Sequence, residues 1–163
     1  MRRLLLLLGF VAICLAFASQ AAAGTTTTVP VSMTFTEPIL KDIRTGCPVF
    51  PDGFCGSGIV VPFGHATETI LFGGACSGAC DLRTVNLARG SIFIDETFSN
   101  FQCPGACQSG KRGIGFPGSG TLTDVIVGGT GIFTRASGNV SGSVTVGGLQ
   151  SLIQLSGSIT LTS

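Results

Sequence analysis

Neither tryptophan nor tyrosine occurs in the chain, histidine occurs once, and only 10% of its 163 residues are charged. Each shortage excludes a class of protein. Low charge combined with 44% hydrophobic residues is the reverse of the balance that keeps a chain disordered. A long coiled coil would need Glu, Lys and Leu in bulk. The formal net charge is +1, and it becomes −1 when residues 1–23 are set aside, leaving seven basic against eight acidic side chains. With no basic excess, the chain lacks the electrostatic footprint of a nucleic-acid binder or of a protein that adheres to anionic membrane.

Long apolar runs are scarce as well. The one that stands out, residues 4–17, is broken only by Gly9 and is preceded by Met1-Arg2-Arg3. At about 14 residues it falls short of the roughly 18 to 20 that cross a bilayer. Ala18-Ser19-Gln20-Ala21-Ala22-Ala23 follows it, completing the basic, apolar and small-residue order of a secretory signal peptide. Ala21 and Ala23 satisfy the A-x-A rule for cleavage after Ala23, although Ser19 and Ala21 would allow a cut two residues earlier. Cys14 leaves with the signal; Ile13 before it is too large for a lipid-attachment site. Residues 24–163 are then expected as a single secreted domain with no membrane span.

What the chain does have is alternation. Val29, Val31, Met33 and Phe35 alternate with polar residues, as do Val140, Gly142, Val144 and Val146, and Ile153, Leu155, Gly157, Ile159 and Leu161. A period of two is that of a half-buried strand. Weaker runs rich in Ile, Val, Phe and Thr cover 57–63, 66–73, 82–88, 91–98 and 119–127, which brings the count to eight. No window of the domain shows helical spacing, and its many glycines would weaken a helix by roughly 1 kcal/mol at each interior position. The expected fold is all-β, an eight-stranded antiparallel up-and-down barrel, with a sandwich as the alternative; closure removes exposed strand edges. Phe63, Phe72, Phe93 and Phe98 are candidates to line a pocket, against the default of a lumen filled by side chains.

Six cysteines remain in the domain: Cys47, Cys55, Cys76, Cys80, Cys103 and Cys107. An even number in a small exported domain predicts three disulfides. With eight strands, the cysteines fall in three odd-to-even loops, which all emerge at one end of an up-and-down barrel and would staple that mouth. Cys47 with Cys55 is the preferred pair. The other four are open between local and crossed pairing across Cys76-Ser77-Gly78-Ala79-Cys80 and Cys103-Pro104-Gly105-Ala106-Cys107. Four thiolates could hold zinc, but an oxidising compartment and three rather than two intervening residues oppose it. The C-x-x-C spacing of redox pairs is missing. No metal and no cofactor is expected.

Residues 127–138 read Val-Gly-Gly-Thr-Gly-Ile-Phe-Thr-Arg-Ala-Ser-Gly. Physically this is a structural turn that includes Thr130 and Gly138, in which Gly128, Gly129 and Gly131 permit positive φ and Phe133 and Ala136 pack it back on the barrel. A phosphate loop would need a following Lys-Ser/Thr and a helix. The stretch G-G-T-G-x-F-x-x-A-x-G, entered from a β run and followed by an alternating strand, resembles the signature turn of the allene oxide cyclase and dirigent-like barrel superfamily, and similar segments occur in bacterial secreted proteins. The resemblance covers about a quarter of the domain and implies an eight-stranded antiparallel barrel. It carries no catalytic residue over, and the cysteine loops depart from it.

Isolated chemistry is sparse. His65 and Glu68 sit three apart on a period-two strand, so they point to opposite faces and make a poor acid–base pair. Asp95, Glu96 and Asp124 fall on predicted strands; solvent exposure is the expectation for them, enclosure in a lumen the functional alternative. Lys111-Arg112 reads as a solvated loop tip, Asn139-Val140-Ser141 as a glycosylation sequon, and no G-x-S-x-G elbow appears. No catalytic or ligand-binding residue can be named. The expected function is a secreted, non-enzymatic barrel that binds a small apolar ligand in its lumen or presents its stapled loops to an extracellular protein. The alternative is an enzyme of the cyclase or dirigent type that steers a reactive hydrophobic intermediate.

Overall fold

The computed structural model describes residues 24–39, 46–73, 80–103 and 117–163. These residues form eight strands: β1 (Thr26–Pro38), β2 (Gly53–Val61), β3 (Gly64–Leu71), β4 (Asp81–Leu87), β5 (Gly90–Gln102), β6 (Gly118–Gly129), β7 (Ser137–Gly147) and β8 (Gln150–Thr162). Each strand is antiparallel to its sequence neighbour. β1 closes on β8, from Thr26 opposite Thr162 to Pro38 opposite Gln150. The result is the closed, up-and-down, eight-stranded barrel that the period-two pattern implies. β2 begins at Gly53, four residues before the apolar run that marks it, because Gly53, Gly56 and Gly58 blank out the alternation.

Alternation decides which side chains fill the lumen. On β1 Val31, Met33 and Phe35 are buried while Ser32 and Thr34 face solvent. Val85, Ile92, Ile94, Ile126, Val140, Leu155 and Ile159 join them in one apolar cluster. Full burial of such a side chain contributes about 1.5 to 3 kcal/mol, so this packed half of the lumen accounts for much of the stability.

The two ends of the barrel differ. The connections β2–β3, β4–β5 and β6–β7 share one end, and there a plug closes the lumen. After β6 the chain makes a single 3-10 turn, Gly131–Phe133, that drives Phe133 into the core. Phe63, from the β2–β3 turn, meets its ring edge-on at 5.1 Å, and Ala136 is buried beside it. Gly131 has a φ of +58°, and a Cβ there would run into the Arg89 carbonyl. Gly131→Ala is therefore expected to cost about 1 to 3 kcal/mol from conformation alone, with the clash in addition; urea denaturation measures it, and an unchanged midpoint would contradict the close approach.

The opposite end gathers the connections β1–β2, β3–β4, β5–β6 and β7–β8, the first three of which carry the cysteines. Cys47 is bonded to Cys55, with Cα atoms 5.6 Å apart. Cys55 stands within β2 rather than in the preceding loop, so the bridge ties the β1–β2 connection to the barrel wall. Cys80 and Cys103 also take part in disulfides, while Cys76, Cys107, Lys111 and Arg112 lie outside the described residues. Among the described residues no helix is long and apolar enough to cross a membrane.

Candidate functional site

At the cysteine end the lumen is not packed. A cavity of about 270 Å3 sits there. Ile70, Leu122, Val144, Val146 and Ile153 form its apolar walls, and Phe54, Phe72, Phe98 and Phe101 contribute four aromatic rings. Phe54 meets Phe72 edge-on at 5.1 Å; Phe98 and Phe101 lie 5.5 Å apart with tilted planes. Phe98 and Phe101 differ by three along β5, so strict alternation would send them to opposite faces. The β5–β6 register shifts between Ser99 and Gln102, and Asn100 adopts a φ of 53°. This irregularity turns Phe101 back toward the lumen, a common use of a strand bulge near the rim of a barrel. Across the seam Gly120 leaves the room that the Phe98 ring occupies.

Beneath the apolar walls lies a charged floor. Arg83, on β4, is among the largest fully buried side chains. Its Nε donates to Glu96 Oε2 at 2.7 Å, and a second guanidinium nitrogen pairs with the same oxygen. Nη1 donates to Glu68 Oε2 and stands 3.8 Å from Glu37 Oε1. The Ser151 hydroxyl donates to Glu37 Oε2 at 2.6 Å. One guanidinium thus faces three glutamates from three other strands, with Phe35 6.0 Å from its central carbon. Asp124, directly opposite Glu96 in the β5–β6 register, is buried nearby.

Acceptors outnumber donors in this cluster. Glu37 Oε1, Glu68 Oε1 and both carboxyl oxygens of Asp124 are buried with no hydrogen-bond partner among the described residues. Desolvation by burial is the main force on the acids. It pushes Glu68 up to about 8 against the pull of Arg83, with Glu37 adding repulsion. Burial also pushes Asp124 up to about 8, assisted by repulsion from Glu96, and raises Glu96 despite its contact with Arg83. For Arg83 burial acts in the opposite sense, favouring the neutral form, but the surrounding carboxylates outweigh it and hold the guanidinium above its ordinary value. At neutral pH Glu68 and Asp124 therefore keep their protons, which relieves an excess of buried negative charge that one arginine does not balance.

The sequence-derived candidates are distributed as follows. Glu96 and Asp124 are enclosed in the lumen, a correction to the expectation that they face solvent; each sits in the inward phase of its strand. Asp95 points away from the lumen. His65 is exposed on β3 while Glu68 is buried, on opposite faces. Phe72 and Phe98 line the cavity, whereas Phe63 packs at the plugged end and Phe93 lies in the outward phase of β5. Gly128 and Gly129 end β6, Thr130 and Gly131 lie in the β6–β7 turn, and Gly138 stands at the start of β7, all at the plugged end and away from the cavity. Arg83, Glu37, Ser151, Phe54 and Phe101 were not singled out by the sequence reading. For Glu37 a signal existed, since it continues the inward series Val31, Met33, Phe35.

Among the described residues no group of His, Cys, Asp and Glu side chains is arranged to hold a metal ion. Compared with known proteins, the chain matches no family model, no curated protein and no solved structure.

Proposed function

We propose that the protein is a secreted, non-enzymatic barrel that carries a small apolar molecule in the cavity at its cysteine end. The single observation that carries this reading is the division of the lumen. One half is packed and plugged by Phe133, and the other holds about 270 Å3 lined by apolar and aromatic side chains over a few polar groups. Concave, mostly apolar sites with a small number of placed polar groups are the usual form of small-molecule sites. The disulfides support export, and Cys47–Cys55 ties the β1–β2 connection to the wall beside cavity-lining Phe54, which pre-orders that side before a ligand arrives. The glycine turn and the eight-stranded closure support placing the chain near the allene oxide cyclase and dirigent-like barrels.

A cyclase-type or dirigent-type enzyme is the second reading. Glu68 and Asp124 retain protons at neutral pH and are the groups an acid step would use. Neither is among the cavity-lining residues, however, which favours the carrier.

The test is calorimetric titration of the secreted protein with octanol. Saturable one-to-one binding is expected, weakened at least tenfold by Val144→Phe, which fills the cavity from its wall without disturbing the charged floor. No binding to the unmodified protein, or equal binding to the variant, would contradict the proposal.

A further inference from the structure

We infer that the ligand of this cavity carries a protonated amine at its polar end, and that Glu37 receives it. The inference rests on the carrier reading and specifies its ligand. The two donor side chains that line the cavity over the floor already have carboxylate partners: the Arg83 nitrogens with Glu96 and Glu68, and the Ser151 hydroxyl with Glu37 Oε2. What remains unmet among the cavity-lining polar groups is an acceptor. Glu37 lines the cavity, is 4% exposed, and its Oε1 has no hydrogen-bond partner among the described residues. Its nearest cation, Arg83 Nη1, stands 3.8 Å away, beyond hydrogen-bond distance.

Charge points the same way. Glu37, Glu96 and Asp81 all line the cavity with Arg83 as the one basic residue among them, so an entering cation meets an acidic surplus. A ligand carboxylate would instead face Glu37 Oε1 and find the guanidinium committed. An ammonium brings three donors and no acceptor, and it corrects both the unmet acceptor and the surplus. The four phenylalanine rings at the cavity wall tolerate a cation on their faces, which a carboxylate would not enjoy. Size narrows the class further. At about 30 Å3 for each water-sized group, 270 Å3 holds roughly nine non-hydrogen atoms, which suits a short alkylamine or arylalkylamine.

Three probes of equal length separate these possibilities on the unmodified protein: octylamine, octanol and octanoate, titrated at pH 7. The expected order is octylamine at least tenfold tighter than octanol, with octanoate weakest. In Glu37→Gln, whose amide oxygen can still accept from Ser151, the ratio of amine to alcohol affinity should collapse to about twofold or less. Octanol binding as tightly as octylamine, or octanoate binding tightest, would overturn the amine assignment and leave the carrier reading standing. A ratio that survives in Glu37→Gln would remove Glu37 from the role. If none of the three probes binds, the carrier reading falls together with the inference.

Discussion

Raising the pH from about 5 to about 8 is expected to destabilise the barrel by several kcal/mol. Glu68 and Asp124 are held at about 8 in the folded state, against ordinary values of 4.5 and 3.8. Between those limits the folded protein binds protons that the unfolded chain has released. The stabilisation is complete below about pH 4, declines through the window at up to about 1.4 kcal/mol per pH unit for each group, and is lost once pH passes 8. Glu96, shifted in the same direction, adds in the same sense. Urea denaturation at pH 5, 6.5 and 8 measures this. Asp124→Asn removes one of the linked protons at nearly constant volume, so its stability should fall less steeply with pH and exceed that of the unmodified protein at pH 8. A stability that rises over the window, or identical slopes for the two proteins, would contradict the burial of an unpartnered Asp124.

The second large effect belongs to Arg83. Arg83→Met leaves Glu68, Glu96 and Glu37 buried without their cation, and loss of one partner from such a cluster typically costs about 3 to 5 kcal/mol. The loss should be larger at pH 8 than at pH 5, because the abandoned carboxyls can take up protons at the lower pH. Arg83→Lys should not restore stability, since one ammonium cannot reach Glu96 and Glu68 with the fork that the guanidinium provides. Adding Glu68→Gln and Glu96→Gln to Arg83→Met should recover most of it. Chemical denaturation of the set at both pH values checks the order, and a single variant as stable as the unmodified protein would show that the cluster is not an ionic network.

Much of the barrel was legible because alternation is a local property. Val29 to Phe35 and Ile153 to Leu161 declare a buried face without reference to any other strand. The charged floor obeys the same phase. Glu68 falls between Ala66 and Ile70, Glu96 follows Ile92 and Ile94, Asp124 lies between Leu122 and Ile126, and Glu37 extends the series of β1. A charge on the apolar phase of a strand marks a lumen site. Taken one strand at a time, solvent exposure is the commoner fate of an acid. On β4 the phase itself is ambiguous, because Leu82 and Val85 have opposite parity, and Arg83 passes unnoticed. The convergence of four acids on one arginine requires the register of the closed sheet, which no single strand contains. Phe101 was hidden for a different reason: the left-handed Asn100 reverses the parity on which any period-two reading depends.

The central claim, that the cysteine end of the lumen receives a small molecule while the other end is a packed core, is tested most directly by methyl NMR of the protein titrated with octanol. The methyl groups of Leu122, Val144, Val146 and Ile153 line the cavity, whereas those of Val31, Ile92 and Ile159 belong to the packed half. The expected result is saturable shifts in the first set, with the second nearly unmoved. Shifts confined to the outward-facing Val125 and Val127, or no saturable shift at all, would contradict it.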